Sequence, residues 1–356
     1  MEPFDPFKLF PMEERKENTL HIQARTAIGA VKSVPPTPPL NEWSKVRKLA
    51  LRHLNRFVSL EAKVLKGDDP DAIHDMRVAS RRLQQVLDLI FPKPQPREAR
   101  RLRRKIRRCR RALGEVRNCD VLLQQVEARL ARPRCADRES WTAVKQHLQE
   151  RRSESFARAI RKLSKVNLAV FYMRTKAILD RLKSTSDNAQ ASHPSAQPDG
   201  GALEPFPSRL AKALAAVWSD FEKQVAASHL EGTPPSIHAA RISAKRLRYL
   251  LEVLNQFGIA GSSDALAWLR RIQEQLGDWH DMEVLEEVII ELIAKPEFLR
   301  DQLLLALATG KLILRNRVNK QRIREKYFEM TLDSADHQRI KNWAESYLHA
   351  PASISD

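Results

Sequence analysis

Two stretches of this chain are versions of one another. IHDMRVASRRLQQVLDLI at 73–90 and IHAARISAKRLRYLLEVL at 237–254 share Ile73/Ile237, His74/His238, Arg77/Arg241, Arg82/Arg246 and Leu83/Leu247 at an offset of 164, with Arg81 opposite Lys245. A second pair follows in the same order, LGEVRNCDVL at 113–122 and LGDWHDMEVL at 276–285, at an offset of 163. The helix starts repeat as well: Asp69-Pro70 and Thr233-Pro234 each set a capping side chain before a proline at the first helical position. Two blocks in register predict an internal duplication. The constraint is strong, because whatever fold one half takes the other must take too.

The periodicity inside both halves is helical, strand-like alternation is hard to find, and glycine is scarce, with 10 residues in 356. We therefore expect an all-α protein of two pseudo-symmetric antiparallel helical bundles. Residues 1–40 are polar, end in PPTPPL and read as a disordered leader. Residues 41–183 form the first expected bundle, 184–203 a flexible Ser/Ala/Pro-rich linker and 204–349 the second bundle. Cys109, Cys119 and Cys135 form no CxxC pair, which fits a reducing compartment and no metal cage. The N-terminus lacks the apolar core of a signal peptide. The most apolar run, LLLALATGKLIL at 303–314, is too short to span a bilayer and contains Lys311. These features predict a cytoplasmic protein with no membrane partner, its helices burying their apolar faces against one another. The sequence sets no oligomeric state.

On a helical wheel with His74 at zero, Arg77 falls near 300° and Arg81 near 340°. Met76, Leu83, Val86, Leu87 and Ile90 lie opposite, between about 120° and 220°. His238, Arg241, Lys245 and Arg248 form the same stripe in the second copy, opposite Ala240, Leu247, Leu250, Leu251 and Leu254. The next segment, REARRLRRKIRRCRR at 97–111, has ten Arg or Lys and one Glu. Arg100, Arg104, Arg107 and Arg111 share one face, with Leu102, Ile106, Cys109 and Leu113 opposite. Its second copy keeps Arg270 and Arg271 but carries Glu274 where Arg111 stands. Lys311, Arg315 and Arg322 share a further helical face. A plain solvated face would explain scattered cations, but not the lack of interleaved carboxylates nor the recurrence of His at one place. Stripes so rich in like charge repel themselves unless an anion neutralises them. The chain's net charge of +18 attracts polyanions such as nucleic acid, anionic lipid or polyphosphate.

The His-x-x-Arg start, the basic pair, KRLRYLLE at 245–252 and the two LG-x-x-x-[DN] blocks resemble the CHAD (conserved histidine α-helical domain) family over about 41–349. The resemblance implies two similar helical bundles that bind inorganic polyphosphate without catalysis or cofactor, and association with polyphosphate granules. It implies ligand contacts at His74, Arg77, Arg81, Arg82, Arg107 and Arg111, and at His238, Arg241, Lys245, Arg246, Arg248 and Arg270; Arg104, Lys311, Arg315 and Arg322 join them from the wheel. Asn118 stands where the family more often has an acid, and His280 stands opposite Arg117. The acids of these blocks are expected to orient arginines.

Polyphosphate has about one charge per phosphate and no bases, so rows of cations suffice to hold it. The two histidines, near their helix N-termini, predict binding that tightens as pH falls below about 7. Non-specific nucleic-acid binding is the alternative, although the stripes hold almost no aromatic platforms. The dyads His74-Asp75 and His280-Asp281 raise a metal-dependent HD phosphohydrolase as a further alternative. They occupy non-equivalent places in the repeat, with no further ligands in pattern, so no catalytic or metal-binding residue is assigned.

Overall fold

The computed structural model describes residues 42–67, 69–191, 205–332 and 334–349. Asp69 caps the helix Pro70–Ile90 by accepting hydrogen bonds from the amides of Asp71 at 2.9 Å and Ala72 at 3.0 Å. Thr233 caps Pro234–Gln256 by accepting from the amide of Ser236. Both repeated stretches thus start with the capping chemistry read from sequence, which satisfies amides that the first helical turn leaves without partners.

Thirteen α-helices and no strand occur among the described residues. They are α1 Glu42–Ser59, α2 Glu61–Lys66, α3 Pro70–Ile90, α4 Arg97–Ala112, α5 Gly114–Leu130, α6 Arg138–Leu163 and α7 Leu168–Ala191, then α8 Phe206–Glu231, α9 Pro234–Gln256, α10 Ser262–Ile293, α11 Pro296–Asp301, α12 Leu303–Glu329 and α13 Ala335–His349. The fold class is the expected all-α. The expected leader lies outside the described residues. The expected linker does so only from 192 to 203, because α7 continues through Ala191.

The packing of one half parallels that of the other. α1 packs on α3 and α7 as α8 packs on α9 and α13, and α5 packs on α6 as α10 packs on α12. The pair α4 and α5 corresponds to the single 32-residue helix α10. Even a capping arginine recurs. Arg152 on α6 donates to the carbonyl of Gly67, and Arg324 on α12 donates to that of Gly232, at 3.0 and 3.1 Å. Both glycines have positive φ, +80° and +59°, and a Cβ on Gly67 would collide with the ring of Phe156.

The hydrophobic cores cut across the halves. One gathers α1, α3, α7, α8, α9, α13 and the near ends of α4, α6, α10 and α12; the other lies among α5, α6, α10 and α12. Each draws side chains from both copies, and the described residues form one compact unit. The apolar wheel faces are seated as expected: Met76, Leu83, Val86, Leu87 and Ile90 on α3 are buried, as are Ala240, Leu247, Leu250, Leu251 and Leu254 on α9. On α12 the expectation fails. Leu303, Leu304, Leu307, Leu314 and Val318 remain exposed, so not every apolar face is covered by another helix.

Candidate functional site

The stripes on α3 and α9 face each other. The two helices meet across the middle of the unit, and Arg82 Nε on α3 pairs with Glu252 on α9 at 2.8 Å. The α4–α5 corner and α10 close the sides.

Within the seam, Arg77 and Arg81 from α3, Arg110 from α4, Arg117 from α5, Arg241, Lys245 and Arg248 from α9, and His280 from α10 act on one another electrostatically. Burial comes first among the causes, then the neighbouring cations. Together they bring the guanidiniums of Arg77 down to about 9 and those of Arg110 and Arg241 to about 10. The Lys245 ammonium is pushed well below its ordinary value by burial, then by Arg241, Arg81, Arg77 and Arg248. Arginines remain charged at neutral pH, so their depression measures an unfavourable field rather than lost protons.

Asp281 is the only carboxylate among the dominant charges on Arg77, Arg110, Arg241 and Lys245. Burial raises its own pKa despite Arg241 and Lys245, and Gln125 donates to it at 3.3 Å. Each partner of the Arg241–Asp281 couple is thus pushed toward its neutral form, because desolvation outweighs their attraction. Arg77 Nη1 spends one donor on the carbonyl of Arg110 at 2.7 Å, whereas Arg241 Nε is buried with no hydrogen-bond partner among the described residues. Arg248 Nη2 donates to Tyr249 Oη at 3.1 Å, and its guanidinium lies 4.9 Å from that ring's centre.

The rings of His238 and His280 lie 5.6 Å apart. Burial, then Arg241 and Lys245, lower both, and His280 reaches about 3. Both are neutral near pH 7 without an anion. His74 sits half-buried in the first turns of α3.

The other expected contacts are placed differently. Arg82 is tied to Glu252, and Arg246 points outward, pairing with Asp220 of α8 at 3.1 Å. Arg104 and Arg111 on α4 are exposed and Arg107 is half-buried; Arg107 and Arg111 add to the field on Arg110. Arg270 is exposed. Lys311, Arg315 and Arg322 lie on the side of α12 away from the Asn316–Met282 contact with α10, and Arg315 pairs with Asp137. None of these last four is among the dominant charges on the seam cations.

Four seam residues were not assigned from sequence: Arg110, Arg117, Tyr249 and His280. The equivalence of Arg117 and His280 in the second repeated block could have found those two. Arg110 carried no signal among ten cations, whereas Tyr249 falls near 20° on the wheel, within the stripe, and lacks only a charge to mark it. The acids divide in role. Asp281 serves the seam, whereas Asp120 holds Arg152 at 2.5 Å, away from the stripes. The two HD dyads do not combine, since Asp75 pairs with Arg56, and no group of three or more His, Cys, Asp or Glu side chains is placed to hold a metal among the described residues. No helix is long and apolar enough to cross a membrane among them either.

Comparison with known proteins adds family and fold. The CHAD domain family model matches residues 48–289. The crystal structure of the CHAD domain from the plant Ricinus communis is similar at 21% identity and a TM-score of 0.57, covering 81% of this chain and 91% of that one. PptA from Streptomyces chartreusis is similar at 13% identity and a TM-score of 0.50, covering 81% of this chain and 97% of that one. No curated protein matches in sequence.

Proposed function

The chain belongs to the CHAD domain family, and on that premise we propose that it binds inorganic polyphosphate, without turning it over, in the seam between α3 and α9. The observation that carries this reading is the seam's unbalanced charge. Arg77, Arg81, Arg110, Arg241 and Lys245 converge from both halves, and Asp281, beside Arg241 and Lys245, is the only carboxylate among the dominant charges on Arg77, Arg110, Arg241 and Lys245. A protein interior does not gather desolvated cations without a compensating partner unless another interaction offsets the cost. A chain of phosphates supplies charge along its length, and arginine forks match its oxygens. Two facing stripes also hold one polymer better than either alone, because the second contact forms at high effective concentration once the first has formed.

The same surface suits localisation at polyphosphate granules in the cytoplasm. Nucleic acid is the competing polyanion. The seam offers it Tyr249 and the His238–His280 pair, but Tyr249 is buried and already engaged by Arg248, so stacking platforms for successive bases are lacking. The test is a titration with long-chain polyphosphate at near-physiological salt, competed by duplex DNA and single-stranded RNA at matched phosphate concentration. Polyphosphate should win clearly; equal or better competition by nucleic acid would reassign the seam.

A further inference from the structure

Residues 303–324, LLLALATGKLILRNRVNKQRIR, contain six Lys or Arg and no Asp or Glu. They make up most of α12, beyond the region the family model matches. The inner side of this helix is fully used: Leu312 and Asn316 are buried, Asn316 donates to the carbonyl of Met282 at 2.7 Å, and Lys320 reaches Glu283 and Glu286 on α10.

The outer side is apolar and bare. Leu304 is 83% exposed, Leu307 61% and Leu314 63%. Leu303, Leu307, Leu314 and Val318 fall within about 60° of one another on the wheel, and the stripe from 303 to 318 runs about 22 Å. Leu299 on α11, also exposed, adjoins it in sequence. Lys311 stands along the edge of this stripe, exposed, between Leu307 and Leu314, and Arg322 continues the same edge. Contiguous apolar surface on this scale, rimmed by polar groups, marks an interaction face.

We propose that this face of α12 docks on an anionic lipid surface, with the helix in the plane of the interface. The stripe is far too short to span, but its geometry is that of a helix seated at the boundary between headgroups and acyl chains. Lys311 decides among occupants. At a lipid surface its four-carbon stem lies along the apolar layer while the ammonium reaches a headgroup phosphate. In a two-fold pairing with a second copy, antiparallel α12 helices that matched Leu307 to Leu314 would bring Lys311 against Lys311. These 22 residues of α12 contribute no carboxylate of their own to repel anionic headgroups, and the Asp137 carboxylate beside them is paired with Arg315. Lys311 and Arg322, grouped with the polyphosphate stripes on sequence alone, border this apolar face instead. The inference stands apart from the polyphosphate reading, which concerns the α3–α9 seam.

The test is sedimentation of the full chain with vesicles of phosphatidylcholine alone and of phosphatidylcholine mixed with phosphatidylglycerol. The protein should sediment with the mixed vesicles only. The double substitution Leu307→Gln with Leu314→Gln should weaken that binding roughly tenfold or more and leave polyphosphate affinity unchanged. Arg77→Glu with Arg241→Glu should keep most of it. Leucine variants that bind mixed vesicles like the wild type would overturn the proposal in favour of adsorption by net charge. A dimer in velocity sedimentation that the leucine variants dissociate, with no vesicle binding, would overturn it in favour of a second copy. A gain-of-signal readout covers a variant that misfolds: Leu307→Trp emission should be quenched by brominated lipid in mixed vesicles, and unchanged emission would count against the proposal.

Discussion

The α3–α9 seam and the α10–α12 layer use the same side chains to opposite ends. In the layer, Lys320 meets Glu283 at 2.6 Å and Glu286 at 2.8 Å, Arg317 meets Glu286 at 2.7 Å, and Lys320 lies over Trp279. Its ammonium is raised, because the two carboxylates more than offset burial. In the seam, Lys245 is lowered, first by burial and then by its neighbours Arg241, Arg81, Arg77 and Arg248. Burial works against the charge in both places and is deeper around Lys245. The other difference is whether the fold supplies the counter-charge itself. Where it does, the cation is part of the architecture; where it does not, the proposed polyphosphate would supply the counter-charge.

That contrast is open to direct attack. The largest effect should come from Arg77→Glu combined with Arg241→Glu. Polyphosphate affinity should fall at least about 100-fold, with a shallower dependence on salt, while far-UV helicity is retained. Unfolding instead would make these residues structural and dissolve the comparison. Next, matched substitutions should move stability in opposite directions. Lys320→Met leaves Glu283 without its cation and Glu286 with Arg317 alone, and should cost about 1–2 kcal/mol in thermal or denaturant unfolding without changing affinity. Lys245→Met removes a desolvated charge and should stabilise the free protein by about 1 kcal/mol while weakening binding.

The histidines sharpen the contrast through pH. His280 is held near 3 and His53, beside Arg82, near 4, against an ordinary 6.5. The unfolded chain therefore binds more protons below about pH 6.5, and stability of the free protein should fall as pH is lowered through that range. A bound polyanion favours the protonated rings of His238 and His280, so affinity should rise over the same interval. Thermal melts at pH 8 and pH 5.5, with and without polyphosphate, should show ligand stabilisation growing toward acid; ligand stabilisation independent of pH would remove the pair from the site. The smallest effect is expected at Arg246→Ala, within about twofold in affinity, because that side chain is exposed and already paired with Asp220.

Much of this was legible beforehand, and the pattern of what was not is instructive. The caps at Asp69 and Thr233 and the apolar faces of α3, α4 and α9 depend on residues one to four positions apart, which helical geometry alone arranges. Arg77, Arg81, Arg241, Lys245 and Arg248 could be grouped for the same reason. Arg110 could not be told from nine other cations on its segment, because what singles it out is the carbonyl it offers to Arg77 and the side chain it extends to Gln84, both distant in sequence. Arg246 follows directly on Lys245 yet points the other way, toward α8.

The sequence by itself determined that the chain is helical, where its repeated helices begin, which face of each is apolar and which is cationic, because these follow from local propensity and a 3.6-residue period. Only the tertiary structure decided which cationic faces are desolvated against one another, which are matched by acids from another helix, and which apolar face of α12 stays uncovered. The physical reason is that the cost of a charge or of an apolar side chain is set by what lies across from it, and what lies across comes from helices far away along the chain.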